Sequence, residues 1–260
     1  MAMDFTNRSN IVSNEIYWND DYTVQTYSKK PPKLYWYEQS LVDLATQHFK
    51  ARAEKVKLVH IIGCGSGREL PSIIETFPEA RFIASDYSPR MVEACRVSLE
   101  KWGYGSIVSL RCCRASLLEP EIGPADLVVI LNNVLTYVLP ESERLKTCSA
   151  IRSVLRSQGL LIGVVHNRWG RLTKTAYFLL QRMVHGLRPT TQDLGDHICI
   201  SKGVGIPYHY FTPAELRKLL TASGFVPLEI QSLASWARYT GKLYAPITGD
   251  NNLVFVAEVG

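Results

Sequence analysis

Short apolar runs and amphipathic stretches alternate along most of this chain. The runs at 57–62 and 125–131 are continuous and rich in Val, Ile and Leu, which is typical of strands buried on both faces. Stretches with apolar residues every three or four positions predict helices between them. Strands are predicted at 57–62, 81–84, 107–112, 125–131, 159–165, 225–231 and 253–259, and helices at 34–50, 69–77, 89–101, 141–155 and 213–223. The alternation predicts an α/β fold, with a parallel sheet covered by helices on both faces.

Two regions interrupt this alternation. Residues 1–33 are polar with scattered aromatic side chains, and residues 167–210 contain one amphipathic segment at 173–186 followed by a glycine-rich stretch that predicts a loop. We therefore expect an N-terminal helical segment over 1–50 and one main domain over 51–260, in which 167–210 forms a lid inserted after the fifth strand.

Composition restricts the protein to the globular class. The chain has 260 residues, of which 46% are hydrophobic and 20% charged, and this excludes disordered and fibrous chains. No apolar run approaches the roughly 18 residues that cross a bilayer, and no apolar core of a secretory signal is visible, so a cytoplasmic location is expected. The six cysteines form no Cys-x-x-Cys pair, which predicts reduced thiols and no metal site.

A glycine loop follows the first predicted strand. Residues 62–67 read Ile-Gly-Cys-Gly-Ser-Gly, and closely spaced glycines allow a ligand to approach the backbone at a helix N-terminus. Arg68 stands where a dinucleotide-binding Gly-x-Gly-x-x-Gly pattern would need its third glycine, and no P-loop lysine follows. Asp86 ends the second strand, where a carboxylate can bind ribose hydroxyls or cap the next helix. Its combination with the glycine loop favours ribose binding.

These motifs resemble those of the class I, Rossmann-like S-adenosylmethionine-dependent methyltransferases. The glycine loop, the stretch 86–91 (Asp-Tyr-Ser-Pro-Arg-Met) and the stretches 125–129 and 132–135 stand in the order found in that family. The resemblance covers about residues 40–165 well and 210–260 in outline. It implies a doubly wound, mostly parallel, seven-stranded sheet and S-adenosylmethionine as the cofactor, with S-adenosylhomocysteine as its product.

The resemblance also implies which residues contact the cofactor. They belong to the glycine loop, the ends of strands two, three and four, and a tyrosine of the N-terminal segment. These residues are Tyr27, Gly63, Cys64, Gly65, Gly67, Asp86, Tyr87, Met91, Ala115, Ser116, Asn132, Asn133 and Val134. Two departures accompany them: Ile61 replaces a common acid before the first glycine, and no acid follows strand three. The methionine amino group is therefore expected to use backbone carbonyls or Asn132.

Three residues are candidates for the chemical step. His166 ends strand five, where ligands of parallel sheets bind, and His209 precedes the helix that follows the insertion. Imidazole titrates near neutrality, so either histidine could serve as a general base. Tyr137 follows strand four and could flank the substrate. For all three, a purely structural role in packing or hydrogen bonding remains the alternative.

Charge is distributed unevenly along the chain. The net charge is +5, but residues 144–192 contain nine Lys and Arg and no Asp or Glu. Aromatic and aliphatic residues of the insertion suit an apolar pocket wall, and its cations suit an anionic substrate group. A membrane-surface helix and a solvated basic face are alternatives for the same segment.

The leading functional hypothesis is methyl transfer to an oxygen or nitrogen of a small organic molecule, of the kind found in secondary metabolism. The chain carries no added nucleic-acid-binding module, which disfavours a nucleic-acid substrate. A tRNA or protein methyltransferase and a non-methylating S-adenosylmethionine-binding protein remain alternatives. The expected assembly is a monomer or homodimer.

Overall fold

The computed structural model describes residues 12–119, 124–169, 172–187, 194–201, 204–244 and 251–260. Its strands are β1 (Leu58–Ile62), β2 (Arg81–Asp86), β3 (Val108–Cys112), β4 (Ala125–Ile130), β5 (Leu155–His166), β6 (Asp196–Ser201), β7 (Val204–His209), β8 (Phe225–Ser232) and β9 (Asn252–Val259). Its helices are α1 (Asn14–Trp18), α2 (Asp21–Ser28), α3 (Trp36–Ala51), α4 (Leu70–Thr76), α5 (Pro89–Trp102), α6 (Glu141–Val154), α7 (Leu172–Leu187), α8 (Pro213–Ala222) and α9 (Leu233–Tyr239).

Seven strands form one twisted sheet in the order β3-β2-β1-β4-β5-β9-β8. The five strands β1 to β5 are parallel, whereas β9 runs antiparallel between β5 and β8. The sequence order reverses between β1 and β4, and open α/β sheets bind ligands at the carboxyl ends of strands at such a switch point. The predicted fold class is confirmed, and all seven predicted strands are present.

Helices cover both faces of the sheet because successive strand residues point to opposite sides. In β1, Val59 and Ile61 face a core that includes Phe49 of α3. Leu58 and Ile62 face the other core, together with side chains of α6 and α8. Both layers are apolar, so β1 is buried along its whole length.

Local chemistry sets the ends of the helices that support the site. The Ser88 hydroxyl accepts a hydrogen bond from the backbone N–H of Met91 at the start of α5, and Gly103 ends that helix in a left-handed conformation. At α8, Thr212 and Glu215 form a reciprocal capping box. These caps fix where each helix meets the carboxyl end of the sheet.

The inserted segment differs from its prediction. Helix α7 covers the predicted amphipathic stretch, but the glycine-rich stretch predicted as a loop contains the antiparallel pair β6–β7. Phe178 of α7 packs against Tyr208 and Tyr210, which form a separate apolar cluster. This tertiary contact stabilises a hairpin that the flanking glycines conceal in the sequence.

The connection between β8 and β9 contains a helix in its described part. Helix α9 occupies its first part, and the indole N–H of Trp236 donates a 2.6 Å hydrogen bond to the Ser40 hydroxyl on α3. Trp236 is fully buried. The described part of this connection therefore packs on the sheet, away from the carboxyl ends of β1 and β2.

Candidate functional site

A cavity of about 390 Å³ lies at the carboxyl ends of β1 to β4, at the switch point of the sheet. Such a volume lies within the range of small-ligand sites. Eleven of the predicted site residues line it: Tyr27, Gly63, Cys64, Gly65, Asp86, Tyr87, Ala115, Ser116, Asn132, Val134 and Tyr137. Residues from four strand ends and from the N-terminal segment thus meet in one space.

The glycine loop forms the floor of this cavity. The backbone N–H of Gly63 donates a 2.7 Å hydrogen bond to the Ser85 carbonyl, which ties the end of β1 to β2. Gly63 has a φ of +69°, and a Cβ there would overlap the Val134 side chain. Only glycine therefore permits the loop to pass this close to the residue after β4.

Asp86 stands at the tip of β2 beside the loop. Its Oδ2 accepts a 2.9 Å hydrogen bond from the backbone N–H of Gly65, and its Oδ1 accepts one of 2.9 Å from Ser88. Burial raises the pKa of Asp86, while these backbone donors lower it. A carboxylate has about four acceptor positions, so Asp86 keeps acceptor capacity for the hydroxyls of a ribose. The residue therefore fits its predicted role.

Three predicted cofactor residues lie outside the cavity lining. Met91 is buried in the core side of α5. A Cβ on Gly67 would lie 2.8 Å from the Cys95 sulfur, so this glycine accommodates α5 rather than a ligand. Asn133 has a φ of +58° and begins the turn after β4. Their contacts with the cofactor therefore stay predictions.

The two candidate histidines also lie outside the lining. His166 Nδ1 is 3.0 Å from Asn252 Oδ1, and its ring lies against Tyr208 and Tyr210. His209 is buried, with Nδ1 2.7 Å from Asp196 Oδ1. The apolar cluster around the hairpin holds His166, and an ion-pair network holds His209. Their roles as bases stay predictions.

An aromatic chamber adjoins the glycine loop. We use this name for Trp18, Tyr27 and Tyr137, which all line the cavity. The Trp18 ring stands edge-to-face against Tyr27 at 5.1 Å and against Tyr137 at 5.2 Å between centroids. Burial raises the pKa of Tyr27 to about 12 and raises that of Tyr137 further. Both phenols are therefore protonated at neutral pH.

The N-terminal helices form one wall of the cavity. The Tyr87 hydroxyl donates a 2.7 Å hydrogen bond to the Asn14 carbonyl, and the Asn14 side chain donates one of 2.7 Å to the Tyr137 carbonyl. The Ser88 hydroxyl is 2.9 Å from the Trp18 carbonyl. Sequence reasoning missed Asn14 and Trp18, because their contacts depend on residues far along the chain.

A buried polar cluster borders the cavity on the β4 side. We define it as Glu38, Arg68, Glu69 and Asn132. Arg68 Nη2 donates hydrogen bonds of 2.9 Å to both Glu38 oxygens and to Asn132 Oδ1, and one of 3.3 Å to Glu69 Oε1. Sequence reasoning missed Glu38, Arg68 and Glu69. The one available signal was the adjacent Arg-Glu pair directly after the glycine loop.

The described cations of the insertion and its flanks serve structure. Arg168 is buried, donates to the carbonyls of Leu194 and Tyr210, and pairs with Glu215 at 2.6 Å. Arg144 is also buried and donates to the Val138 carbonyl. Arg144 and Arg168, two of the cations considered for an anionic substrate group, thus already contact acceptors that lie outside residues 144–192. The side chains of Arg171, Lys174 and Arg188 lie outside the described residues.

The apolar residues of the insertion that were expected to line the pocket lie elsewhere in the described structure. Trp169 and Phe178 pack in the cluster with Tyr208 and Tyr210, whereas Leu180 and Met183 of α7 are exposed. The cavity lining, among the described residues, receives Pro207 from the hairpin and nothing from α7. None of the described helices has the length and apolar composition needed to cross a membrane. No three His, Cys, Asp or Glu side chains in the described ranges converge as metal ligands.

Comparison with known proteins adds a domain assignment. Residues 59–159, which run from β1 into β5, match the family model described as a methyltransferase domain. No curated protein sequence matches the chain. The matched residues include the glycine loop, Asp86 and the end of β4.

Solved structures share the fold. Magnesium protoporphyrin IX methyltransferase (ChlM) from Synechocystis PCC 6803, with bound SAH, is 18% identical over 95% of this chain and 97% of its own, with a TM-score of 0.58. N-methyltransferase NodS from Bradyrhizobium japonicum WM9 is 12% identical over 95% of this chain and 99% of its own, with a TM-score of 0.57. The 1,6-didemethyltoxoflavin-N1-methyltransferase of Burkholderia thailandensis is 19% identical over 86% of this chain and 80% of its own, with a TM-score of 0.53. At these identities the similarity establishes the fold alone.

Proposed function

We propose that this chain, which carries a methyltransferase domain and shares its fold with solved methyltransferases, is a class I S-adenosylmethionine-dependent enzyme that methylates an oxygen or nitrogen of a small organic molecule. The observation that carries the proposal is the aromatic chamber beside the glycine loop. Its rings are packed edge-to-face and enclosed by α1 and α2. Chambers lined by aromatic side chains with few polar groups are typical of small-molecule sites.

The glycine loop and the tip of β2 fit the nucleoside part of the cofactor. Asp86 would accept hydrogen bonds from the ribose hydroxyls, and Ala115 and Ser116 after β3 would border the base. When bound, S-adenosylmethionine supplies a methyl group on a positively charged sulfur. The rings of Trp18, Tyr27 and Tyr137 line the same cavity, and a ring face turned toward that charge would stabilise it.

The chain's contribution to the chemical step is alignment in a dry space. Holding two reactants in an in-line arrangement can contribute roughly 7–11 kcal/mol to a bimolecular reaction. Apolar side chains of Val134, Val138, Leu139 and Pro207 line the cavity and limit water there. An acceptor with a lone pair would be directed toward the methyl group by these walls.

Apart from Asp86 and Glu69, which border the space proposed for the cofactor, the described lining offers the carboxylates of Glu15 and Glu143 for proton removal. Tyr137 is protonated at neutral pH, so it would donate a hydrogen bond to the acceptor rather than take its proton. Glu143 also lines the cavity and is 2.6 Å from the Lys146 ammonium. An acceptor that is already deprotonated, such as a neutral amine, a carboxylate or an acidic phenol, suits this site best.

The solved relatives support a small acceptor by analogy. They include a magnesium protoporphyrin IX methyltransferase and a methyltransferase with bound 1,6-didemethyltoxoflavin. These acceptors are aromatic heterocycles, and an aromatic chamber is chemically suited to such surfaces. The analogy gives a class of candidates and not a substrate.

The test is release of S-adenosylhomocysteine, measured by mass spectrometry, with panels of amines, phenols and carboxylic acids. Bulk tRNA and denatured protein serve as the competing acceptor classes. Turnover with a member of the small-molecule panels, lost in Asp86→Asn, supports the proposal. Turnover with tRNA or protein alone would overturn it in favour of a macromolecular substrate, and binding without turnover in any panel would favour a non-methylating role.

A further inference from the structure

The polar cluster on the β4 side contains more negative than positive charge. Its members Glu38, Arg68 and Glu69 are at most 4% exposed, and the guanidinium lies between the two carboxylates. With both acids ionised, the cluster itself has one negative charge in excess, and Lys30, which lines the same cavity, is a further cation that acts on Glu69. A buried excess charge is costly unless a partner compensates it.

One oxygen of this cluster lacks a donor. Glu69 Oε1 accepts hydrogen bonds from Arg68 and from the Asn132 side chain. Glu69 Oε2 is buried and has no hydrogen-bond partner among the described residues, although Glu69 lines the cavity. Leaving a buried charged acceptor unpaired destabilises the protein. A ligand with a cationic donor would relieve that cost.

The topology indicates which part of a ligand reaches this oxygen. In the order β3-β2-β1-β4, Asp86 stands at the end of β2, and the cluster stands on the opposite side of the glycine loop, next to Asn132 after β4. A nucleoside whose ribose binds at Asp86 and whose base lies toward β3 therefore extends its remaining substituent toward β4. In S-adenosylmethionine that substituent ends in an α-amino acid.

We propose that Glu69 Oε2 binds the α-ammonium group of S-adenosylmethionine, in place of the acid that Ile61 replaces. The inference rests on the proposed function, because it takes the cofactor as given. The Asn132 side chain contacts both charged neighbours, because its Oδ1 accepts from Arg68 and its Nδ2 donates to Glu69. Asn132 is a positioning residue that orients the Glu69 carboxylate.

Calorimetric binding of two nucleosides tests this assignment. S-adenosylhomocysteine carries the α-amino acid, whereas 5′-methylthioadenosine keeps the nucleoside and sulfur without it. Glu69→Gln should lower the affinity for S-adenosylhomocysteine about tenfold or more and leave that for 5′-methylthioadenosine within about twofold. Glu79→Gln is the matched control, because Glu79 is exposed and pairs only with Lys55 among the contacts described.

The remaining outcomes separate the inference from the function. If Glu69→Gln lowers the affinity for both nucleosides equally, or for neither, the role of Glu69 is overturned and the methyltransferase proposal stays intact. Failure of the wild-type chain to bind either nucleoside would overturn both.

A measurement on the wild-type chain keeps the test independent of how the variant folds. Glu69 must ionise to bind the ammonium group, and burial raises its pKa to about 7. At pH 6.5, binding of S-adenosylhomocysteine should therefore release protons, visible as different heats in buffers of different ionisation enthalpy, while 5′-methylthioadenosine should release fewer. Equal release by both nucleosides would contradict the proposal.

Discussion

The Asp86 carboxylate accepts a 2.9 Å hydrogen bond from the backbone N–H of Gly65. This single contact joins the tip of β2 to the glycine loop that follows β1. It orients the carboxylate and the loop toward the same space, so the side chain and the backbone form one binding surface. The adjacent bond from Ser88 to the other oxygen fixes the carboxylate plane.

Asp86→Asn should weaken binding of S-adenosylhomocysteine by about 10- to 150-fold in calorimetry. The amide loses the negative charge that accepts the ribose hydroxyls, and hydrogen bonds to charged groups contribute about 1.5–3 kcal/mol. Asp43→Asn on the exposed side of α3 is the control. Unchanged affinity in a folded Asp86→Asn chain would remove this residue from the site.

Tyr87→Phe should loosen the N-terminal wall of the cavity. The phenol donates to the Asn14 carbonyl, and a neutral hydrogen bond contributes about 0.5–1.5 kcal/mol. Deuterium uptake over α1 should therefore become about 2- to 12-fold faster by exchange mass spectrometry. Tyr104→Phe removes an exposed bond to Glu75 and should leave α1 unchanged. Identical uptake in both variants would show that the Tyr87 bond does not hold α1.

His209→Gln should lower thermal stability and leave turnover within about twofold. The imidazole is buried against Asp196 and Phe211, and it does not belong to the described cavity lining. Each kcal/mol lost should lower the Tm by roughly 2–4 °C in a chain of this size. Scanning calorimetry and the S-adenosylhomocysteine assay measure the two effects. A loss of about 100-fold or more in kcat would identify His209 as a general base after all.

Arg168→Met should destabilise the protein by about 1–3 kcal/mol, chiefly because it leaves the Leu194 and Tyr210 carbonyls without their donor, while the lost pair with the partly exposed Glu215 contributes less. The corresponding loss of Tm is roughly 2–12 °C by scanning calorimetry. Arg182→Met, at an exposed position of α7, should be neutral. A neutral Arg168→Met would mean that this cation is free to serve a ligand, as the charge pattern first suggested.

Glu69 should make the unliganded protein less stable as the pH rises from about 5 to 7. Burial raises the pKa of Glu69 in the folded state to about 7, so the folded chain binds the proton more tightly than the unfolded chain. The stabilisation is complete below the unfolded pKa and is lost as pH rises through the folded pKa, at up to about 1.36 kcal/mol per pH unit. The groups acting on it are Arg68, Glu38 and Lys30, with Tyr27 and Cys64 nearby.

The measurement is the Tm as a function of pH for the wild type and for Glu69→Gln. The decline between pH 5 and 7 should be weaker in the variant, since glutamine does not titrate. Parallel curves would show that Glu69 ionises as easily in the folded as in the unfolded state.

Apolar periodicity was sufficient to predict the main sheet. Strands such as β1 and β4 are buried on both faces, so their sequences are continuous apolar runs. The β6–β7 hairpin escaped prediction because its stability comes from Phe178 packing on Tyr208 and Tyr210, and that contact joins separate elements. Strand tendency of this kind depends on tertiary neighbours more than on the local sequence.

Some residues of the site could likewise be predicted from the sequence, and others could not. Gly63, Gly65 and Asp86 could be predicted because backbone conformation and strand ends are local properties. Glu69 could not, because its surroundings depend on Glu38 from α3 and Asn132 from after β4, which only the packed fold brings to Arg68. The structural role of Arg168 could not be predicted either, because its partner Glu215 lies outside residues 144–192.

The position of β9 constrains how this sheet assembles. It follows all the other described strands in the sequence, yet it lies between β5 and β8. Until residues 252–259 arrive, both neighbouring strands present open N–H and C=O rows that another chain could pair with. Synthesis from the N-terminus therefore leaves a gap in the sheet that its final strand must fill, and chains truncated before 252 should be prone to self-association.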